Sequence, residues 1–595
     1  MLKTGRTFVS LIVCVCFLVA CQGGTPAMPP AATATPTAAP SSTPSPTEVP
    51  PTPTASLTPT ATIVPLDLVA AEARAPQVTS PVGTEGDPAD GGILVSGTDD
   101  MPWWNDTVFY EIFVRSFYDS DGDGIGDLNG LIEKLDYLND GDPTTTDDLG
   151  ITGIWLMPIM TSPSYHGYDV IDYYTVNPEY GTNADFERLM EEAHKRGITI
   201  IIDLVLNHTS AQHPWFIEAQ DPNSEKHDWY LWSEAGGTGW HRLGSSYYFG
   251  LFWDQMPDLN YENPAVTEKM HNVMRFWLEE MGVDGFRLDA IKHLIEEGTE
   301  TENTPATLTW FEGFYDFYKS VNPHAFTVAE VWSPTPIVAQ YTGNKVDVCF
   351  EFDLAEAIKN TAFRGSQTGL LMAEENVVDA YPPGQYATFL ANHDQTRTRS
   401  GLMNDEQAKV AASLQFTFGG VPFIYYGEEI GMQGAKPDEN IRRPLQWTPD
   451  GGFTTGTPWR GYYEDYETRN ITAQSVAPDS ILNHYRALIA LRNNHAALRI
   501  GDWQPVTAEP RSVYSYIRAS EGETVLVVIN LSSKAVADYT LELDAGPFTP
   551  DLQPAFLMGD GDLYLPPVNA DGGFDAYRPI PVLPPYSSTV IQFMP

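Results

Sequence analysis

Positive charge is scarce in this chain. Its 595 residues hold 79 Asp and Glu but only 33 Lys and Arg, a formal net charge of −46. Such a surface repels nucleic-acid phosphates and anionic membranes, so it argues against a nucleic-acid partner and for a neutral substrate. Cysteine is scarce as well, with four in all. Cys14, Cys16 and Cys21 lie at the extreme N-terminus, leaving Cys349 alone in the body. That excludes an intrachain disulfide and a cysteine-based metal site there. The apolar stretch "TFVSLIVCVCFLVA" (7–20) is too short for a comfortable membrane span. What the chain does have is apolar bulk: 42% hydrophobic residues, 12% aromatics and 14 Trp indicate a globular body with a large core.

The N-terminal segment carries Lys3 and Arg6 before its apolar run and ends in "LVAC". This resembles a bacterial lipobox, which implies a signal peptide over 1–20 and a lipid on Cys21. An ordinary cleaved signal is the alternative. Residues 21–100 are dominated by Pro, Thr, Ala and Ser, which cannot bury a core and predict an extended linker. The expected location is extracellular or at the cell surface, with the membrane touched only through the anchor.

From Trp103 onward, short apolar runs alternate with amphipathic stretches. The runs are "VFYEIFV" (108–114), "GIWLMP" (153–158), "ITIIIDLVLNH" (198–208), "GFRLDA" (285–290), "FTVAEVW" (326–332), "VDVCFEF" (346–352), "ATFLANHD" (387–394) and "VPFIYYGEE" (421–429). Eight strand–helix units predict an α/β fold, a closed (β/α)₈ barrel. Its expected parts are 101–208 and 263–505, interrupted after strand three by an excursion over 209–262. Alternating text over 506–595 predicts a small antiparallel β-domain. The expected state is a monomer.

In such barrels the active site lies at the C-terminal ends of the strands. Strand three ends in Asp203, Asn207 and His208, strand four in Arg287 and Asp289, strand five in Glu330, and strand seven in His393 and Asp394. Arg287 and Asp289 are two apart, so they share one face of a strand while Phe286 and Leu288 share the other. Alone, that is a structural ion pair. Together with the other strand ends it becomes one polyvalent site.

Four stretches, "DLVLNH" (203–208), "GFRLDAIKH" (285–293), "VAEVW" (328–332) and "FLANHD" (389–394), resemble the conserved regions of the α-amylase family, glycoside hydrolase family 13. The resemblance runs from about Trp103 to Pro595. It implies that Asp289 is the nucleophile, with Arg287 lowering its pKa, and that Glu330 is the acid/base, its pKa raised by neighbouring carboxylates. It implies that Asp394 stabilises the transition state, and that His208, His393, Tyr168 and His166 contact the same sugar ring. Lys292 and His293 would contact the sugars on the leaving side, and Asp203 would support Arg287. Retaining enzymes of this kind hold nucleophile and acid/base roughly 5–5.5 Å apart.

A second constellation is "DSDGDGIGD" (119–127). Asp119, Asp121, Asp123 and Asp127 fall at positions one, three, five and nine of a calcium-loop spacing, with Gly124 at the sharp turn and Ile125 at the position that offers a backbone carbonyl. Position twelve is Gly130, so the loop is not a full EF-hand. Ca²⁺ is the expected cofactor, and Asn207 is a candidate ligand of a further calcium site.

The implied activity is retaining hydrolysis of internal α-1,4 bonds in starch and maltodextrin. Oligo-1,6-glucosidase relatives carry an Asp where Tyr165 stands and tend to have Val where Ala290 stands; both departures favour the α-amylase reading. "MPDLN" (256–260) and "RRPLQW" (442–447) favour the alternative, a neopullulanase- or cyclomaltodextrinase-like or transglycosylating enzyme. A non-catalytic glucan-binding lipoprotein is a third reading, against which the complete carboxylate set argues.

Overall fold

Each of the eight apolar runs forms a parallel strand: β1 (Phe109–Ile112), β2 (Gly153–Leu156), β3 (Thr199–Leu204), β4 (Gly285–Leu288), β5 (Phe326–Ala329), β6 (Val348–Phe350), β7 (Tyr386–Thr388) and β8 (Val421–Tyr425). They close in sequence order, with β8 pairing back onto β1. The structure is a computed structural model and describes residues 97–98 and 101–594. The expected signal peptide, Cys21 and the linker up to residue 96 lie outside the described residues.

Inside the barrel, aromatic rings fill the lower layers. Phe109 stacks on Phe423 at 4.6 Å and on Phe326 at 5.2 Å, with Trp103, Trp104, Ile201 and Phe350 in the same cluster. Strand residues of the opposite parity, such as Ile112, Ile154, Phe286 and Leu288, pack outward against the helices. The helix Asn183–His194 shows why these segments are helical. Phe186, Leu189, Met190 and Ala193 recur at i, i+3, i+4 and i+7, and Thr182 with Asp185 forms a capping box. Gly285 is fixed by a close approach: a Cβ there would lie 1.9 Å from the Phe326 carbonyl oxygen, so only glycine lets β4 and β5 pair at this point.

The excursion after β3 holds a three-stranded sheet from Trp232–Ser233, Trp240–Leu243 and Ser246–Phe249. The C-terminal region forms a seven-stranded antiparallel sheet over its own apolar core, including Val513, Val528, Leu541 and Phe574. Its first strand, Asp502–Glu509, starts four residues before the boundary expected at 506. The short helix Ala496–Ile500 ends just before it, at Gly501, and inward alternation is clear only from Val506.

Candidate active site

The backbone ladder continues past β4 and β5 and sets the centre of the site. Leu288 registers with Ala329, the Asp289 N–H donates to the Leu204 carbonyl and the Glu330 N–H to the Leu288 carbonyl. Asp289 and Glu330 therefore leave neighbouring strands at the same level. Ala290, next in line, is held in the left-handed region (φ 46°), an uncommon conformation for a residue with a Cβ. Its N–H donates to Glu330 Oε2 at 3.2 Å.

Arg287 is fully buried and ties three carboxylates together. Nη1 donates to Asp203 at 3.0 and 3.1 Å and to Asp289 Oδ1 at 2.6 Å, and Nη2 donates to Glu330 Oε2 at 2.6 Å. Burial pushes the Asp289 carboxyl up and Arg287 pulls it back, with burial outweighing the cation. Arg287 lowers the Asp289 pKa as expected, but the expected net lowering does not occur, because burial outweighs the cation. Glu330 is also pushed up, first by burial, and only after that by Asp289 and Asp394. Withdrawal from water outranks the neighbouring carboxylates expected to cause the rise, because the group sits deep among strand ends. Burial likewise raises Asp203 to about 7.

Asp394 behaves differently. Its Oδ1 accepts from Arg442 Nη2 at 2.8 Å, and its Oδ2 lies 3.1 Å from His393 Nε2. Burial disfavours the charge, but His393, then Arg442 and Arg287, hold this carboxyl well below the usual range. The site thus contains one firmly ionised carboxylate, Asp394, and three others, Asp203, Asp289 and Glu330, whose protonation burial promotes.

The expected sugar contacts surround this centre. The Tyr168 hydroxyl lies 2.9 Å from Asp203 Oδ2 and 2.6 Å from His393 Nε2, and its ring stacks on His393 at 5.5 Å. His166 stacks on the other neighbouring ring, Tyr168, at 6.2 Å and accepts the Tyr168 N–H. His208 Nε2 lies 3.2 Å from the Tyr168 carbonyl, while its buried Nδ1 has no protein partner; burial lowers its pKa to about 4, which keeps the ring neutral. His393 is bonded at both ring nitrogens, Nδ1 reaching Glu111 at 2.6 Å. Lys292 donates to Glu302 and to the Trp332 carbonyl, and His293 pairs with the Thr301 carbonyl. Tyr165, at the position where the chain-end-gripping Asp would stand, packs on Trp459 at 5.5 Å beneath the Arg442 guanidinium.

Four residues here escaped sequence reasoning: Glu111, Arg442, Phe252 and Trp332. Glu111 had a signal, a charge inside the apolar run "VFYEIFV" on the parity that faces inward. Phe252 and Trp332 are half exposed, at 48% and 52%, and Phe252 packs edge-on against both His208 and His293.

In the acidic loop, Asp119, Asp121 and Asp127 bring ligand oxygens within 4.8 Å of one another. Asp123 is not part of that group; it accepts the Ile125 N–H. Asp119 is buried. Burial opposes its charge, yet the Thr454 hydroxyl and the N–H groups of Gly122, Gly124 and Asp121 hold it below its ordinary value. Beside the excursion, Asn207, Asp258 and Glu296 leave buried side-chain oxygens without partners. Burial and Glu296 push Asp258 up, and Glu296 itself reaches about 7.

A profile of the family described as "Alpha amylase, catalytic domain" matches residues 111–501. Among curated proteins, Alpha-amylase 3 of Dictyoglomus thermophilum is 41% identical over 443 residues, covering 72% of this chain and 86% of that protein. Trehalose synthase/amylase TreS of Mycobacterium tuberculosis is 35% identical over 522 residues, covering 75% and 85%. Oligo-1,6-glucosidase of Halalkalibacterium halodurans is 33% identical over 517 residues, covering 72% and 90%. Among solved structures, the α-amylase from H. orenii matches with a TM-score of 0.72 at 41% identity, covering 82% of this chain and 99% of that one. A closed parallel barrel with carboxylates gathered at its strand ends, matched over this length, leaves one assignment: the chain belongs to the α-amylase family, glycoside hydrolase family 13, and is a glycoside hydrolase.

Proposed function

We propose that the enzyme hydrolyses internal α-1,4 bonds of starch and maltooligosaccharides with retention of configuration. The observation that carries this is Arg287 bonded at once to Asp289 and Glu330, with Asp394 held ionised across the site. Asp289 attacks the anomeric carbon as Glu330 passes its proton to the departing glycosidic oxygen. Glu330 then takes a proton from water as that water breaks the Asp289 ester. Asp394 opposes the positive charge that develops on the ring. Tyr168 offers a ring face to the sugar, and His166, His208 and His393 surround its hydroxyls. Lys292 and His293 stand toward the leaving sugars, with Phe252 and Trp332 exposed beside them. Tyr165 in place of a chain-end-gripping Asp leaves the glycone side open for a continuing chain. The relatives named α-amylase support this reading.

The second reading is transglycosylation or α-1,6 cleavage. The "RRPLQW" stretch that delivers Arg442, and the relatives named trehalose synthase and oligo-1,6-glucosidase, favour it. Product analysis decides between them. Short maltooligosaccharides from starch, in the retained anomeric form, support the first. Turnover confined to pullulan, isomaltose or maltose, with disaccharide interconversion, supports the second.

Two oxygen-lined sites fit Ca²⁺, a hard cation that takes oxygen ligands. Asp119, Asp121 and Asp127, whose oxygens converge, would hold one ion, with the Ile125 carbonyl offered from the same loop and Asp123 outside the group. Asn207, Asp258 and Glu296, whose buried oxygens lack partners, would hold another. Each ion would brace a loop and supply no chemistry. For location, the "LVAC" stretch supports a lipid on Cys21; Cys21→Ser should release active enzyme into the soluble fraction, and identical detergent partitioning of both forms would leave an ordinary secreted enzyme.

A further inference from the structure

Behind Asp394, the hydrogen bonds allow a proton count. Tyr168 has one hydroxyl proton, and Asp203 Oδ2, already bonded to Arg287, is its acceptor at 2.9 Å. The Tyr168 oxygen must then accept from His393 Nε2 at 2.6 Å, so that nitrogen carries a proton. The other nitrogen, Nδ1, lies 2.6 Å from Glu111 Oε1, and a carboxylate only accepts. With Glu111 and Asp203 ionised, both nitrogens of His393 need protons at once; burial raises both carboxyls, and the neighbouring cations His393 and Arg287 oppose that rise.

We propose that Glu111 is a positioning residue of this active site: from β1 it holds His393 as an imidazolium, and through that ring it fixes Asp394 as an ionised carboxylate aimed at the substrate. The inference rests on the proposed role of Asp394. Glu111 and His393 are both fully enclosed, at 2% and 0% exposure, so no solvent cation can replace this arrangement. His393 is faced by Glu111 from β1, by Tyr168 from the segment after β2, and by Asp394 on its own strand end. The Trp155 ring from β2 closes it at 5.7 Å. Glu111 in turn is faced by His393, and electrostatically by Arg287 from β4, Asp394, and Tyr425 from β8. Burial works against a charged His393, but Asp394 and Glu111 overcome it and raise the pKa to about 9.

The sign follows. A raised histidine is charged below its pKa and loses its proton as pH rises through it. In Glu111→Gln one supporting carboxylate is gone, so His393 discharges at lower pH and the alkaline limb of activity moves down.

The test uses the full-length enzyme on maltoheptaose and starch across pH 5–10. Glu111→Gln should lower kcat about 10- to 100-fold at pH 8, the coupling expected of directly bonded groups, with a smaller loss at pH 6 and KM nearly unchanged. Added to His393→Asn, it should cost less than about twofold more, because it acts through that ring. A loss equal at every pH, or additive losses in the double variant, overturns the inference. ¹⁵N spectra of the His393 ring, assigned by its loss in His393→Asn, give a reading that needs no substrate. Two protonated nitrogens at pH 8 in the parent and one in Glu111→Gln support the inference, and one in both overturns it. Asp394→Asn separates the two claims: full activity there sinks the site reading, whereas an inactive Asp394→Asn beside an unaltered Glu111→Gln sinks only the role of Glu111.

Discussion

Two residues along β1, the inward side chain changes from Phe109 to Glu111. Along β3 it changes from Ile201 to Asp203, and at the end of β5 from Val328 to Glu330. The same strands thus line two unlike regions. The lower layers are stacked rings and branched chains. The upper layer is almost entirely ionisable, and its charges compensate one another through Arg287, Arg442 and His393. Buried charges are costly unless paired and hydrogen-bonded. The comparison teaches a division of labour: packing below holds the strand ends in register, and that register is what keeps the upper charges paired.

Breaking each region should fail in its own way. The largest effect is expected above. Asp289→Asn or Glu330→Gln should lower kcat by about 10⁴-fold or more, and the double variant should be little worse than either, since the pair acts as a unit. Urea unfolding should be no easier in either variant, because each removes a buried group whose charge burial disfavours. Activity within tenfold of the parent would remove the assignment. The next effect lies below. Phe423→Ala should cost about 3–5 kcal/mol in urea unfolding, the usual range for a truncated buried aromatic, while kcat at low temperature stays within a few-fold. A large loss of kcat with stability intact would mean the two regions are not separable as described.

Chelation comes third. An ion bound only by the folded state at about a hundred times its Kd contributes about 2.7 kcal/mol, so chelator should lower Tm by several degrees. Asp121→Ala should reproduce part of that shift. Unchanged Tm together with no bound metal by elemental analysis would refute calcium binding.

The smallest effect concerns a buried carboxylate outside the reaction. Glu428, beyond β8, accepts from Thr398 and Tyr485 beside a cavity of about 10 Å³, and burial raises it to about 7. A raised carboxyl keeps its proton in the folded state longer than in the unfolded one. Its contribution is therefore present in acid and is lost as pH rises from the ordinary carboxylate range to about 7. Glu428→Gln should flatten the fall in stability between pH 5 and pH 8 by on the order of 1 kcal/mol. Parallel curves for both proteins would contradict this.

Much of this was legible in the sequence, for a physical reason. Barrel strands are fully buried runs, so a charge inside one, such as Asp203, Arg287 or Glu330, stands out against the apolar text. The eight strands and the excursion could be read from that rhythm alone. Arg442 could not. It lies in an irregular stretch after β8, 48 positions from Asp394, and only closure of the barrel brings them together. Asp258 and Glu296 were hidden for the same reason, each looking like an ordinary surface acid until burial exposes the missing partners. Sign was also beyond reach: spacing shows that Arg287 neighbours Asp289, but not that enclosure outweighs it.

Arg287 serves three carboxylates with one charge, and in the proposed cycle this makes the site keep its own time. When Asp289 becomes an ester its negative charge disappears. Glu330 then loses one of the neighbours that strengthened its hold on a proton, and a larger share of the guanidinium field falls on it. Its affinity for the proton drops at the moment it must stop being an acid. When the ester breaks, the charge returns and the affinity is restored. No movement of the chain is required: forming and breaking one covalent bond tells Glu330 which half of the reaction it is in.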